Sequence, residues 1–173
     1  MSPAPQLNAP ESASVTDSLA LRPLIEDFNA RYAHILDRGN FEDWPGFFAE
    51  DGRYRITARE NFLAGLPIGL IYCDGHGMLN DRVRAILETT TFAPRYLSHM
   101  LSGVFVKGID ADGVIHAITN YMVLQTLVEG ETRILQSGEY LDQFIRHGDS
   151  LLLKDRLCVY DSLMVPNSII YPV

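Results

Sequence analysis

The chain has 173 residues, of which 47% are hydrophobic and 21% are charged, so it is expected to form one globular domain with its own core. Its 14 basic and 22 acidic residues give a formal net charge of −8, which argues against nucleic-acid binding because a phosphate backbone requires a basic face. No apolar run approaches the roughly 20 residues that cross a bilayer, so a membrane segment is not expected.

The first part of the chain predicts a leader followed by a helix. Residues 1–16 are rich in Pro, Ala and Ser and lack the pattern of a secretory signal, so we expect a disordered leader before a single domain over 17–173. Apolar residues recur at helical spacing from about Leu21 to Leu36. Pro23 is expected in the first turn of this helix, and Gly39 is expected to end it.

Shorter elements follow. The segment around Asn40, Phe41 and Trp44 predicts a short second helix, and a strand is expected over residues 53–58. Residues 59–73 contain several Gly and Pro and read as irregular, with a short strand near their end. Asp74 is a candidate N-cap for a further helix.

The second half of the chain is rich in β-branched and aromatic residues. Short breaks typical of hairpins separate four predicted strands, at 96–109, 113–128, 131–146 and 151–161. Helices followed by an antiparallel meander indicate an α+β fold, with the helices packed on one face of a curved sheet that forms a cone. Cones of this kind serve either as an open pocket or as a rigid body that packs against a partner.

Cysteine usage excludes a Rieske centre in this chain. Such a centre requires closely spaced Cys and His pairs, whereas the only cysteines, Cys73 and Cys158, lie 85 positions apart and have no His nearby. We expect two free thiols in a reducing cytoplasm, no metal site and no Cys nucleophile. Common nucleotide-binding, hydrolase and zinc motifs are also absent from the sequence.

The histidines carry weak signals. His34 lies three residues before Asp37 on the first helix, but two ligands are too few for a metal site, and a solvated helix face is the favoured interpretation. His76, between two glycines, is expected to have a loop role. His116 is expected to be a hydrogen-bonded histidine of the core or of an interface.

One polar cluster is a candidate site. Arg95 and His99 alternate onto one strand face, where they could hold a carboxylate from the same chain, from a ligand or from a neighbouring subunit. Asp81 and Glu88 are the candidate local partners, and Tyr171 in the apolar tail completes a predicted structural or subunit-contact cluster. The tail itself, Ile169–Val173, is expected to be ordered and buried, within the chain or at a contact.

Several segments together resemble the small (beta) subunits of Rieske-type aromatic-ring-hydroxylating oxygenases. The similarity runs from near Asp27 to Val173. It is carried by the segments FNARYAHILDRGNFEDWPGFFAEDGRYRI, IYCDGHGMLNDRV, RYLSHMLSG, SGEYLDQF and LKDRLCVYDS. Within that family, RENFLAGLP and LCVYDSLMVPNSIIYPV are most similar to salicylate hydroxylase small subunits, and WPGFFAEDGRYRIT and SGEYLDQF also resemble those of terephthalate dioxygenase.

The resemblance implies a nuclear-transport-factor-2-like cone and an α3β3 assembly with a large (alpha) subunit. In that family the large subunit holds the Rieske [2Fe–2S] cluster, the mononuclear iron and the substrate pocket, and electrons from NAD(P)H arrive through a ferredoxin and reductase. The small subunit usually carries neither cofactor nor catalytic residue. The expected function is therefore a non-catalytic structural subunit in the catabolism of an aromatic acid.

Two other functions stay open at this point. A free-standing cone-fold isomerase or dehydratase would need a pocket with a paired acid and base, drawn from Tyr32, Tyr54, Asp51 and His99. A ligand-binding module without chemistry is the third hypothesis. The sequence does not show whether these side chains converge.

Overall fold

Helices come first in the chain and long strands follow, in a computed structural model that describes residues 14–89, 92–162 and 169–173. The elements in chain order are α1 (Val15–Arg38), a 3-10 helix (Phe41–Phe47), β1 (Phe48–Ala58), α2 (Arg59–Leu63), β2 (Ile71–Asp74), α3 (Gly75–Arg84), a π-helical turn (Ala85–Thr89), β3 (Arg95–Ile109), β4 (Ile115–Leu127), β5 (Thr132–His147) and β6 (Ser150–Tyr160). The predicted leader lies mostly outside the described residues.

Helix α1 starts earlier than the apolar pattern predicts. The Ser14 side chain accepts a hydrogen bond from the Asp17 N–H at 3.1 Å and caps the first turn. Pro23 consequently lies inside the helix, so its predicted place in the first turn is wrong. The predicted end is confirmed: Gly39 adopts φ 75°, and its N–H and the next one bond back to α1 carbonyls.

The strands form one six-stranded sheet in the order β2-β1-β6-β5-β4-β3. Strands β3 to β6 form the predicted antiparallel meander, which is confirmed. Strand β1 joins the far side of β6 in parallel, and β2 pairs antiparallel with β1. Four of the five strand pairings carry a register shift, where the ladder bends or twists locally. These features confirm the α+β prediction.

The core lies between the helices and the inner face of the sheet. The apolar stripe of α1 is buried there, with its main members Leu21, Ile25, Phe28, Tyr32 and Leu36. Trp44, on the 3-10 helix, is fully buried against Phe48 and Tyr54 with the rings edge to face. The helices therefore occupy the inner face and leave much of the outer face of the sheet without a helical layer.

Two local features differ from the sequence expectations. Residues 59–63 form the short helix α2, although the segment reads as irregular. Asp74 does occupy the N-cap of α3, but its side chain makes no capping hydrogen bond. In the part of the chain that the structure describes, no helix is both long enough and apolar enough to span a bilayer.

Candidate functional site

The interior of the cone is lined by buried aromatic side chains. The Trp44 indole N–H donates to the Tyr32 hydroxyl at 2.9 Å. The rings of Tyr121 and Tyr140 stack with centroids 4.4 Å apart and an interplanar angle of 11°. Each of these residues comes from a different element, so the interior of the cone is built from α1, the 3-10 helix, β4 and β5.

A buried ion pair lies at the centre of this interior. Two Arg156 nitrogens donate to the two Asp142 carboxylate oxygens, each at 2.8 Å, and both side chains are 0% exposed. The guanidinium is sandwiched between the rings of Tyr32 and Tyr140, at 4.2 Å from each centroid. Burial raises the pKa of Asp142, and the Arg156 charge opposes that rise. The Nε and Nη2 atoms of Arg156 are thus bonded, whereas its buried Nη1 has no hydrogen-bond partner among the described residues.

Asn29 ties this ion pair to the first helix. Its side-chain oxygen accepts from Arg156 at 2.6 Å, and its amide nitrogen donates to the Thr119 hydroxyl at 3.2 Å. Asn29 is 2% exposed and Thr119 is 0% exposed. This network links α1 to β4, β5 and β6, so the polar groups hold the helix against the sheet.

The last residues of the sequence fill the remaining interior. The Tyr54 hydroxyl accepts from the Val173 N–H at 2.8 Å and lies 3.1 Å from the Val173 carbonyl, to which it can donate. The Tyr32 hydroxyl donates to the same carbonyl at 3.4 Å. Val173 is 0% exposed and Ile169 is 8% exposed, which confirms that the tail is buried.

Arg82 holds this tail in place. One of its guanidinium nitrogens donates to the carbonyls of Ile169 at 2.8 Å and Ile170 at 2.5 Å. Sequence reasoning missed Arg82, because an arginine on a polar helix is ordinarily a solvated residue. A signal existed in its position: it lies three residues after the buried Leu79 and next to the buried Val83, on the core side of α3.

The tyrosine hydroxyls and the Cys158 thiol of the interior are held in their neutral forms. Burial raises the pKa of Tyr54 and of Tyr140 well above the ordinary tyrosine value. Burial also raises the pKa of the Cys158 thiol, an effect that the nearby Arg156 charge opposes. Phenolate and thiolate are therefore disfavoured here at neutral pH, and the interior offers neither a general base nor a nucleophile from these side chains.

His99 is bonded to Asp37, which is neither of its predicted partners. Its Nδ1 lies 2.6 Å from an Asp37 carboxylate oxygen, and its backbone N–H donates to the same carboxylate at 3.0 Å. The His99 side chain is 0% exposed. Because β3 is an edge strand, this N–H has no partner strand, and the carboxylate at the end of α1 satisfies it.

The other members of the predicted cluster are only partly brought together. The Arg95 guanidinium lies over the Phe92 ring at 5.3 Å, and Phe92 meets Tyr171 edge to face at 5.0 Å. Tyr171 also packs on Phe41. Asp81 is exposed, and its side chain has no hydrogen bond or ion pair to the described residues. Arg95 and Tyr171 thus share one aromatic cluster at the tail, while His99 and Asp81 lie outside it.

The side chains considered for an isomerase do not form one site. Tyr32 and Tyr54 meet at Val173, but Asp51 is exposed and His99 is bonded to Asp37 at the sheet edge. The remaining histidines have structural environments. His34 is exposed, His76 Nε2 bonds the Phe48 carbonyl at 3.0 Å, and His116 Nε2 bonds Asp110 at 2.9 Å.

The described residues bring few metal-ligating side chains close to one another. Within residues 14–89, 92–162 and 169–173, no group of three or more His, Cys, Asp or Glu side chains is placed to hold an ion. Cys73 and Cys158 are both buried free thiols, on β2 and β6. These residues do not fit an iron–sulfur cluster or a mononuclear iron centre.

Comparison with known proteins gives a consistent result. The family model described as ring hydroxylating beta subunit matches residues 31–167. The anthranilate 1,2-dioxygenase small subunit of Burkholderia cepacia is 35% identical over 143 residues, which cover 83% of this chain and 88% of that one. The beta 1 subunit of the terminal oxygenase component of terephthalate 1,2-dioxygenase from Comamonas sp is 36% identical over 149 residues, covering 86% and 96%.

A solved structure shares both fold and sequence. The beta subunit of a putative aromatic-ring-hydroxylating dioxygenase from Novosphingobium aromaticivorans superposes with a TM-score of 0.79 at 37% identity. The match covers 88% of this chain and 96% of that chain, so the similarity extends over nearly the whole fold.

Proposed function

The chain belongs to the family of ring-hydroxylating beta subunits, and from this membership we propose that it is the non-catalytic, structural small subunit of a multicomponent Rieske oxygenase that hydroxylates an aromatic acid. As a beta subunit it is part of an oxygenase and has a large (alpha) subunit as its partner. In the proposal it stabilises a large-subunit trimer in an α3β3 assembly.

The substrate class in this proposal is an aromatic carboxylic acid. Two relatives at 35% and 36% identity are named for anthranilate and for terephthalate, and both compounds carry a carboxylate on an aromatic ring. The large subunit would select the individual substrate. This chain would contribute to aromatic compound catabolism through the geometry of the assembly.

The observation that carries the non-catalytic role is the filled interior. Val173 lies inside the cone, where it bonds to Tyr54 and Tyr32 and is 0% exposed. The charged groups beside it, Arg156 and Asp142, are bonded to each other and to Asn29. The alternative of a free-standing isomerase or dehydratase requires this space and these groups to be available to a substrate.

The cofactors are assigned in the proposal to the large subunit, because the donor set of the described residues fits neither iron centre. A ferredoxin and a reductase would deliver electrons to that subunit. A reducing cytoplasm is the proposed location, which agrees with two buried free thiols.

Co-expression tests this function directly. The chain is produced together with the large subunit of a ring-hydroxylating oxygenase from the same source, with an affinity tag on the large subunit only. We expect the two chains to co-purify in equal numbers, with the mass of three of each by analytical ultracentrifugation. A large subunit that assembles and turns over substrate at the same rate without this chain would contradict the proposal.

A further inference from the structure

A groove lies on the outer face of the sheet, which is the face opposite helix α1. It has a volume of about 530 Å³ and lies between the sheet and the loop that joins α2 to β2. The loop contributes an apolar wall of Phe62, Leu66 and Ile68, and strands β5 and β6 contribute an apolar floor of Leu141 and Leu157. Concave sites of this size with a mostly apolar lining are typical of small-molecule binding.

The loop that forms the wall is held in place by strand β1. The Thr57 hydroxyl donates to the Ile68 carbonyl at 2.7 Å, and the Leu70 N–H donates to the Ile56 carbonyl at 2.8 Å. A side chain at Gly69 would bring its Cβ to 2.5 Å from the Ile56 carbonyl oxygen, so the close approach of loop and strand requires glycine there. The groove is therefore preformed and does not need a ligand to create it.

The charge that the groove presents to solvent is positive. Arg55 and Asp155 are its charged lining residues, and they bond at 2.6 Å. The Asp155 carboxylate also pairs with Arg53 at 3.2 Å, so two guanidinium groups share one carboxylate. The Asp155 side chain is 4% exposed, whereas that of Arg55 is 33% exposed. A ligand in the groove therefore meets the Arg55 guanidinium, with the carboxylate covered beside it.

Two hydrogen-bond donors are free at this polar end. Arg55 uses its Nε and Nη2 for Asp155, and its Nη1 makes no hydrogen bond to the described residues. The Gln143 side-chain amide lines the groove, lies beside Asp155 in the strand register and is likewise unbonded within the described residues. Asp74, another carboxylate of this row, lies three strands away from Gln143 and does not line the groove. The polar end is thus suited to an anionic acceptor such as a carboxylate.

The rest of the groove determines the body of the ligand. Apolar side chains line both its loop side and its sheet side, and Ile68 and Leu66 are 57% and 48% exposed. A molecule that contacts both sides has to be apolar on two opposite faces, as an aromatic ring is.

We infer that this groove binds a small aromatic carboxylic acid, with its ring between the loop and the sheet and its carboxylate on Arg55 and Gln143. The site is separate from the buried interior, because it lies on the opposite face of the sheet. It goes beyond the proposed function and is independent of it, since no residue of a large subunit takes part. Failure of the co-expression experiment would leave this site unaffected.

The test measures the binding of three probes to the full chain: 2-naphthoate, its uncharged analogue 2-naphthamide, and acetate. An NMR titration of the ¹⁵N-labelled chain gives each Kd and identifies the backbone amides whose signals move. We expect 2-naphthoate to move the signals of residues 64–70, Leu141 and Leu157. It should bind about tenfold more tightly than 2-naphthamide, which lacks the charge that Arg55 recognises. Acetate should bind at least about tenfold more weakly than 2-naphthoate, because it has no apolar body.

Two variants test the two ends of the groove, each with a matched control. Arg55→Gln should weaken 2-naphthoate about tenfold and leave 2-naphthamide within about twofold. Ile68→Ser should weaken both naphthalene probes about threefold, because it removes part of the apolar wall. Arg133→Gln and Ile134→Ser change exposed residues of β5 that do not line the groove, and both should stay within about twofold of the wild type. Circular dichroism and melting temperature of each variant check that the fold is kept.

Four results would overturn the assignment. Equal affinity for 2-naphthoate and 2-naphthamide would remove the carboxylate from the ligand class. Signal changes confined to residues outside the groove, or equal losses in the control variants, would place the binding elsewhere. The absence of saturable binding by every probe would show that the groove is not a site for such acids. Groove signals that move only with the concentration of the chain would assign this surface to a second copy of it.

Discussion

His99 connects the first helix to the edge of the sheet. Its imidazole and its backbone N–H both meet the Asp37 carboxylate, and the ring has 0% side-chain exposure. A histidine beside a carboxylate can be a catalytic pair or a structural brace, and here it lies away from the Tyr32 and Tyr54 hydroxyls, which bond the tail instead. The arrangement favours a brace that fixes an otherwise unpaired strand edge.

His99→Ala is expected to act on folding and assembly. Removing a buried imidazole and its hydrogen bond costs on the order of 1–3 kcal/mol in the free energy of unfolding. The yield of assembled complex should fall, while turnover per assembled complex stays within a few-fold of the wild type. His34→Ala, which removes an exposed histidine of the same α1 helix, is the matched control and should change neither quantity.

The measurement is turnover normalised to assembled complex, with mass and iron content determined on the same sample. Loss of a catalytic histidine costs roughly 10²–10⁴ in rate with the fold intact. A thousand-fold loss of turnover in a fully assembled, iron-replete complex would contradict the structural interpretation of His99.

The buried ion pair of Arg156 and Asp142, like the His99–Asp37 pair, has a structural role. Taking Arg156 and Asp142 out of water is costly, and their mutual attraction offsets that cost only with close geometry and further hydrogen bonds. Both conditions are met, through two 2.8 Å bonds within the pair and the Asn29 oxygen at 2.6 Å. These hydrogen bonds fix the relative position of α1, β5 and β6.

At the scale of elements, the tail Ile169–Val173 packs inside the cone. Ile169 and Val173 are buried, Tyr171 packs between Phe41 and Phe92, and Arg82 bonds two tail carbonyls. The tail thus contributes to the same core as the helices and the sheet. Without it, the Tyr54 hydroxyl would lose its bonds to Val173, and the Tyr32 hydroxyl would lose its acceptor.

Arg82→Gln is expected to loosen this tail. Hydrogen bonds from a charged donor contribute about 1.5–3 kcal/mol, so the free energy of unfolding should fall by about 2–3 kcal/mol. Arg84→Gln, at an exposed position on the same helix, is the matched control and should stay within about 0.5 kcal/mol. Denaturant unfolding measures both, and hydrogen exchange of the Val173 amide reports on the tail itself. Equal stability of the two variants, with a protected amide in each, would rule out the role assigned to Arg82.

Elements with strong local signals were predictable from the sequence. Alternating β-branched residues and short polar breaks place strands β3 to β6 within about two residues, and Gly39 marks the end of α1. The start of α1 was not predictable, because its first turn is mostly polar and only the cap at Ser14 marks it. The parallel pairing of β1 with β6 depends on contacts across 100 residues, for which the sequence carries no local signal.

The interior site was also less predictable, because its contacts join residues that lie far apart in the sequence. Tyr32 and Tyr54 were considered as partners, and they do meet, but at Val173 rather than at Asp51 or His99. The charged residues of the interior were missed. One signal was available: Asp142 shares its strand parity with the apolar Tyr140 and Phe144, so it had to face the core and needed a buried partner.

At the scale of the whole molecule, the buried phenols predict sensitivity to alkali. Burial raises the pKa of Tyr32, Tyr54, Tyr121 and Tyr140 in the folded state above the unfolded value of about 10. Their contribution to stability is therefore complete below about pH 10 and is lost above it, as the unfolded chain releases protons that the folded chain retains. Each such group lowers the free energy of unfolding by up to about 1.4 kcal/mol per pH unit in that range.

Denaturant unfolding at increasing alkaline pH checks this, with tyrosinate absorbance followed on the same samples. We expect part of the tyrosinate signal to develop only as the protein unfolds. Titration of all 8 tyrosines in a chain that keeps its native circular dichroism would contradict the buried interior described above.

We propose that this chain stabilises the assembly of an oxygenase and takes no part in its chemistry. The most direct measurement is iron content and turnover of an aromatic acid, determined in parallel on the isolated chain and on the complex with the large subunit, with electron-transfer proteins supplied to both. The account predicts no stoichiometric iron and no turnover for the isolated chain, and both for the complex. The visible absorption of a [2Fe–2S] centre in the isolated chain, or turnover by it, would contradict the account.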